Sequence, residues 1–357
     1  MRIFVSPLDW GLGHAARCIP VIHYLVEKKI EVVIGAEGSH LVFLKEHFPD
    51  CEFVDFPGYR ISYSNRLPVG VKVLLQLPQM VSAIKKEHEL LDAIIKEKKI
   101  DAVISDNRYG LWNEKIPSVI ITHQLNIKAS VGNSLLSKTA YNYIKNFSEC
   151  WIPDYAGEQN LAGSLSHPIP NGLNAKYIGP LSRFRPHSIL SYIEKANDLL
   201  VILSGPEPQR TTLEEIILKQ LKDLPDLKTL LIQGLPGNKA TKSGLKNIEI
   251  VPHLSDIEFQ RAVNSSDVVL CRGGYSTLMD LNAVGFKKSI FIPTPGQTEQ
   301  EYLGELMQEK GLAITCKQKV FSLKEAIEKA KQLKPVQINY TEEVFKKVVD
   351  EWTSKLA

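Results

Sequence analysis

The chain has 357 residues, 44% of them hydrophobic and 23% charged, with a formal net charge of +3 spread along its length. That composition belongs to a folded globular protein long enough that two domains are the default, and it lacks the basic face that nucleic-acid binding requires. Five cysteines (Cys18, Cys51, Cys150, Cys271 and Cys316) are odd in number, scattered and without a C-x-x-C pair, which argues against a disulfide framework or a zinc site and for a reducing, cytoplasmic setting. No apolar window reaches the roughly 18 residues of a membrane span. The N-terminal "RIFVS" is strand-like where a signal peptide would be charged and then apolar.

In chain order, β-branched runs at 2–6, 31–37, 51–57, 101–107 and 118–124 predict strands. Amphipathic patterns at 14–29 and 39–48 predict helices, and 71–99 predicts a long helix broken or kinked near Pro78. Such alternation implies a mostly parallel sheet with right-handed crossovers. From Cys150 to Arg185 the periodicity fades, and "PDYAGEQNLAGSLSHPIPNG" reads as a linker with partial strand content. Alternation then restarts, with strands at 198–205, 228–234, 248–253, 267–274, 289–294 and 312–316. Helices at 211–222, 256–264, 276–285, 299–311 and 323–333 lie between them.

The pattern predicts two α/β domains in tandem, 1–160 and 186–335, joined by a linker at 161–185. In the last segment, 336–357, Val344, Phe345, Val348, Val349 and Trp352 form one apolar stripe behind Thr341 and an acidic first turn. So amphipathic a helix must dock, and its expected place is back on the first domain.

In open parallel sheets ligands sit outside the carboxyl ends of the strands, so the segments after each strand are where chemistry is expected. After the first strand, Gly11-x-Gly13-x-x-Ala16 satisfies the spacing of a dinucleotide-binding turn. Pro7 to Trp10 intervene, however, making the loop long and bulky, so a dehydrogenase with Glu37 as its ribose acid is a weak reading. The same turn carries His14 and Arg17. A histidine at a helix N-terminus is kept neutral by the helix dipole, which suits a general base. Asp106, ending the fourth strand, would orient it and stabilise the imidazolium, and Asp9 is the rival base. Each also has an ordinary reading, as a packed helix start or a turn residue.

After the first strand of the second half, Ser204 and Gly205 offer a hydroxyl and backbone amides to a phosphate, with Thr211 and Thr212 opening the next helix. Pro206 and Pro208 each remove one donor. Residues 267–304 are richer. A buried strand runs into Arg272-Gly273-Gly274, a helix opens at Tyr275-Ser276-Thr277, and Asp280 shares their face one turn on, within reach of a ribose diol. A second strand ends at Pro293 and is followed by Gln297, Glu299, Gln300 and Glu301, groups suited to sugar hydroxyls. Any one of these is an ordinary turn or cap; their coincidence at adjacent strand ends is not.

This stretch resembles the donor-binding signature of GT-B nucleotide-sugar glycosyltransferases. It is closest to family 28, whose best-known member adds N-acetylglucosamine to the lipid-linked peptidoglycan precursor. The matching positions are Cys271-Arg272-Gly273-Gly274, Thr277, Asp280, Pro293 and Gln300-Glu301, with Asp280 in place of the family's Glu and Glu301 in place of its second Gln. Gly11, Gly13 and His14 resemble the family's N-terminal glycine loop, from which Trp10 and Leu12 depart. "THQLNIKASVGN" is similar to its His-Glu-Gln-Asn segment at Gln124 and Asn126, and "IGPLSRF" to its Gly-x-Pro-x-Arg stretch, which gives Arg183.

The resemblance implies a GT-B architecture, two Rossmann-like domains with mostly parallel sheets facing a cleft. It also implies a UDP-sugar donor, uracil held by backbone at Val251, His253 and Leu254, and no metal. The expected activity is inverting, metal-independent transfer from a UDP-sugar, with no cofactor beyond that co-substrate, to a sugar or lipid-linked acceptor of the cell envelope. A UDP-sugar hydrolase or non-hydrolysing epimerase, or a non-catalytic sugar-nucleotide binder, are the alternatives on the same fold. "RLPVGVKVLLQLPQMVSAIKK", apolar and carrying Arg66, Lys72, Lys85 and Lys86, is the candidate for peripheral contact with the inner face of the membrane. The commoner role of such a helix is packing on the sheet.

Overall fold

The computed structural model describes residues 1–59, 69–127, 133–184, 194–238, 244–334, 336 and 340–356, with the side chains of 69–78 and 133–136 left aside. The chain divides into two compact units, Met1–Leu181 with Thr341–Ala357, and Ser182–Tyr340.

The first unit contains β1 (Arg2–Pro7), α1 (Leu12–Glu27), β2 (Glu31–Ala36), α2 (Gly38–His47), β3 (Glu52–Asp55) and α3 (Val69–Lys98). β4 (Ala102–Asp106), β5 (Ser118–Ile121), α4 (Asn133–Ile144), β6 (Glu149–Ile152) and β7 (Ala175–Tyr177) follow. Its seven strands form one sheet in the order β3-β2-β1-β4-β5-β6-β7, parallel throughout. β1, β2, β4 and β5 are buried along nearly their whole length. That is why they read as continuous apolar runs rather than as alternation. β1 and β4 are neighbours although β2 and β3 lie on the far side of β1. The strand order therefore reverses between β1 and β4, and a crevice opens at their carboxyl ends.

The second unit contains β8 (Asn197–Ile202), α5 (Gln209–Leu221), β9 (Thr229–Ile232), β10 (Ile248–Val251), α6 (Asp256–Asn264) and β11 (Ser266–Cys271). α7 (Tyr275–Ala283), β12 (Lys288–Phe291), α8 (Thr298–Glu309), β13 (Ala313–Thr315) and α9 (Leu323–Lys331) complete it. Its six strands run β10-β9-β8-β11-β12-β13, again all parallel. The reversal here falls between β8 and β11. Leu213, Ile217 and Leu221 of α5 and Leu323, Ala326 and Ile327 of α9 pack against Val201, Leu231, Leu270 and Ile290 of the sheet.

α10 (Glu343–Thr353) belongs to the first unit. Phe345, Val348, Val349 and Trp352 are buried, and Trp352 meets Trp151 edge-on at 5.4 Å. Asp350 accepts the Tyr24 hydroxyl at 2.9 Å and pairs with Lys28 at 2.9 Å. Val344, expected in the stripe, is 47% exposed, so the buried face is narrower by one residue.

Two expectations need correction, and a third meets the described residues only in part. Val69–Lys98 is one helix with no break at Pro78; a proline removes a single i→i−4 bond, and the helix continues past it. Arg66 and the side chain of Lys72 lie outside the described residues, while Lys85 and Lys86 are exposed on α3. Among the described residues no helix is long and apolar enough to cross a membrane. Finally, residues 161–181, expected as linker, lie within the first unit. Asp154 is fully buried, and its carboxylate accepts the N–H groups of Tyr155, Leu161 and Ala162 and the hydroxyl of Ser166 at 2.7–3.0 Å. Order there comes from one side chain gathering backbone donors, which leaves no periodicity to read.

Candidate functional site

At the β1/β4 reversal, Gly11 caps α1 with φ +89, a conformation that costs a residue with a Cβ. His40, only 5% exposed, lies 3.0 Å by Nε2 from the Gly11 carbonyl. A carbonyl only accepts, so Nε2 carries the proton, and burial holds the pKa of His40 below its ordinary value. Asp106 ends β4 with no exposed surface. Arg17, one turn into α1, donates Nε–H to its Oδ1 at 2.6 Å, and His14 Nδ1 lies 2.9 Å from its Oδ2. Arg17 also approaches His14 Nδ1 at 2.8 Å and His123 Nδ1 at 3.3 Å.

His14 thus has a pure acceptor and a pure donor at one ring nitrogen. With the proton on Nδ1 toward Asp106, the acceptor nitrogen of the neutral ring is Nε2. Burial pushes the Asp106 carboxyl up, but the charges of Arg17 and His14 and their hydrogen bonds outweigh it and hold it below the usual range.

The other first-unit candidates are engaged in holding loops. Asp9 Oδ1 accepts the Tyr59 N–H at 3.2 Å, and a Cβ on Gly58 would overlap the Asp9 carboxylate. Glu37 Oε1 accepts the Gly58 N–H at 2.6 Å, a loop contact rather than a free ribose acid. The N–H of Gln124 donates to Thr122 Oγ1 at 3.1 Å, and Asn126 ties its segment to Leu165 and His167. Gly13 sits in the first turn of α1 beside His14. His123, 3% exposed, was not singled out from sequence; its place directly after a strand end next to β4 is the signal that finds it.

In the second unit, β8, β11 and β12 are adjacent. Ser204 and Gly205 lie exposed after β8, Gly205 at φ +96. Helix α5 opens at Gln209, ahead of the expected Thr211-Thr212. Gly274 is the N-cap of α7 and, as a glycine, offers no capping side chain of its own. Gly273 packs so closely on Phe291 that a Cβ would come within 3.3 Å of the ring. Tyr275 is buried, whereas Ser276 and Thr277 are half-buried on the first turn. Gln300 Oε1 accepts the Thr294 N–H at 2.8 Å, and Glu301 Oε1 the Gly296 N–H at 3.1 Å, so both shape the segment after β12.

Arg272 is not at the surface of this turn. Its guanidinium is fully buried and donates to the carbonyls of Ile292 at 3.0 Å and Gln209 at 2.7 Å and to Gln318 Oε1 at 2.6 Å. Among the described residues no carboxylate pairs with it, and burial pulls its pKa down to about 10.

A second cluster surrounds Asp280. Ser182 Oγ donates to it at 2.7 Å, and Arg183 lies 3.4 Å away while donating to Asp256 at 3.1 Å and stacking over Phe259. Burial, only partly offset by Arg183 and Ser182, holds Asp280 above the usual carboxylate range. Val251, His253 and Leu254 are half-buried in the segment that leads into Ser255, which caps α6 through a capping box. That segment brings Asp256 to Arg183. Among the described residues no three His, Cys, Asp or Glu side chains converge as a metal site would require.

Residues 204–351 match the family model of the glycosyltransferase family 28 C-terminal domain. An uncharacterised glycosyltransferase of Methanosarcina acetivorans is 25% identical over 337 residues, covering 87% of this chain and 84% of that one. The UDP-N-acetylglucosamine–N-acetylmuramyl-(pentapeptide) pyrophosphoryl-undecaprenol N-acetylglucosamine transferase of Acetivibrio thermocellus is 27% identical over 345 residues, covering 89% and 85%. Among solved structures, the glycotransferase of kitacinnamycin superposes with a TM-score of 0.66 at 14% identity over 100% of this chain and 99% of its own. MurG of Acinetobacter baumannii does so with a TM-score of 0.56 at 14% identity over 99% of each. At that identity the superpositions speak for the fold, two parallel-sheet units of GT-B type.

Proposed function

We propose that this chain, a family 28-like glycosyltransferase of GT-B fold, transfers a sugar with inversion and without a metal from a UDP-sugar to a lipid- or glycan-linked acceptor. The observation that carries the donor half is the Arg272 guanidinium, buried with no carboxylate partner among the described residues, in the glycine turn that leads into α7. Positive charge and aligned amides at that point suit a diphosphate. Ser204, Gly205, Ser276 and Thr277 would contact the diphosphate, Gln300 and Glu301 the sugar, and backbone near Val251 to Leu254 the uracil. Asp280 would take the ribose only by exchanging Ser182 or Arg183 for its hydroxyls. The lipid-linked acceptor class follows the relative from Acetivibrio thermocellus, whose name gives N-acetylmuramyl-(pentapeptide) pyrophosphoryl-undecaprenol as its acceptor.

In the reaction the acceptor oxygen bonds to the anomeric carbon from the face opposite UDP. The carbon–oxygen bond to the β-phosphate breaks, and UDP leaves with the electron pair. The acceptor proton passes to His14 Nε2, while Asp106 stabilises the imidazolium through Nδ1. Charge developing on UDP is met by the α7 amides and the field of Arg272. Asp9, engaged with Tyr59, is the poorer base.

Two measurements test this. UDP and UDP-sugars should raise the melting temperature while NAD(H) does not; stabilisation by NAD(H) alone sinks the donor assignment. His14→Ala should slow donor consumption in the presence of acceptor by on the order of 10² to 10⁴ with UDP affinity unchanged. Near-normal turnover in that variant removes His14 from the role.

A further inference from the structure

Thr294 stands directly after β12 and is 2% exposed. Its N–H is taken by Gln300 Oε1 at 2.8 Å, but its hydroxyl oxygen, buried to solvent, has no hydrogen-bond partner among the described residues. Buried hydroxyls are rarely left so, because the desolvation of the O–H is then uncompensated. What surrounds it gives the orphan a purpose. A Cβ on Gly205 would lie 3.6 Å from Thr294 Oγ1, and a Cβ on Gly274 would lie 3.9 Å from Gln300 Nε2. Gly205 follows β8 and Thr294 follows β12, the strands on either side of β11, and strands two places apart are separated by roughly 10 Å. The two segments therefore lean toward each other across the end of β11, where Arg272, Gly273 and the start of α7 lie. The buried Arg272 guanidinium is 3.4 Å from the carbonyl of Pro293, the residue before Thr294. A donor hydroxyl, the start of α7 and a buried cation with no carboxylate partner among the described residues thus lie at the ends of adjacent strands.

We propose that Thr294 is a further donor-site residue, its hydroxyl donating a hydrogen bond to a phosphoryl oxygen of the nucleotide diphosphate. This rests on the UDP-sugar reading above and extends it by a residue outside the sequence signature. In the structure as it stands the Gly205 backbone covers the hydroxyl. The diphosphate takes the place of that cover when the exposed 204–208 turn shifts, which the glycine at φ +96 makes possible without a side chain in the way. Pro206 and Pro208 deprive this turn of two N–H donors, so a side-chain hydroxyl supplies what the backbone there cannot.

The experiment is calorimetric titration of wild type, Thr294→Val, Thr294→Ala and Thr294→Ser with UDP and with uridine, beside melting temperatures without ligand. Thr294→Val keeps the shape and removes the hydroxyl. It should weaken UDP by on the order of tenfold or more, leave uridine binding unchanged and not lower the melting temperature. Thr294→Ala should show the same UDP loss, and Thr294→Ser should stay close to wild type. If the variants lacking the hydroxyl bind UDP as wild type does, or lose uridine and UDP equally, the inference is overturned while the donor reading stands. If wild type itself binds no UDP, both fall together.

Discussion

Each unit buries an arginine at the reversal point of its sheet, and the two are treated in opposite ways. Arg17, 2% exposed, meets the Asp106 carboxylate and stands between His14 and His123. Arg272, fully buried, meets carbonyls and one side-chain amide. In the first unit the buried charges nearly cancel, which leaves a histidine whose protonation is set by local hydrogen bonds. In the second unit no described carboxylate pairs with the buried Arg272. A group with a pKa of about 10 stays charged at neutral pH, so its field is permanent and favours an anion. On the proposed function, the same residue type serves proton transfer in one unit and anion binding in the other.

The contrast is broken most directly by removing the counter-ion where there is one. Asp106→Ala leaves the Arg17 guanidinium buried without this carboxylate. The expected loss is about 3–5 kcal/mol in urea unfolding. The stability that Asp106 supplies also has a pH signature. Its folded pKa lies below the ordinary value, so the contribution is complete above that value and is lost as pH falls through the folded one. Arg272→Met is the matching change in the second unit, and it should cost less, about 1–3 kcal/mol. It strips the carbonyls of Ile292 and Gln209 of a donor, but it also removes the desolvation penalty of an unpaired charge. A cost for Arg272→Met above that for Asp106→Ala would mean that Arg272 is compensated after all, and the comparison would fail.

Much of this was legible in the sequence, and the failures have physical causes. Both sheets were visible because buried parallel strands are apolar runs and the helices between them keep a clear period. β6 and β7 were missed because a four-residue "ECWI" and a three-residue "AKY" are too short to carry a pattern. Their surroundings are organised by the Asp154 carboxylate rather than by apolar spacing. The juxtaposition of His14 with Asp106 was expected from strand ends alone. That Arg17 shares the same carboxylate was not, because nothing in spacing says which way a long side chain turns. For Arg272 the motif gave the position but not the contacts: the guanidinium is a buried strap from β11 to α5 and the segment after β13, and burial of that kind leaves no mark in spacing. Thr294 carried no signal at all, since an orphaned hydroxyl is a property of packing.

The smallest effect sharpens the first-unit side of the comparison. His40 is neutral because burial disfavours its charged form; Asp9, Asp106 and the Gly11 carbonyl favour that form, and Arg108 opposes it. Its folded pKa lies below the ordinary value of 6.5, so below pH 6.5 the unfolded chain binds more protons than the folded one. Stability is then level above that pH and falls as pH drops, by at most about 1.4 kcal/mol per pH unit, until the folded pKa is passed. His40→Gln keeps an N–H for the Gly11 carbonyl and cannot titrate. Urea midpoints between pH 7 and pH 5 should therefore decline in wild type and flatten in this variant, with the α1 cap intact and turnover at pH 7.5 little changed. If the decline survives in His40→Gln, the burial of His40 is not the source of the acid sensitivity.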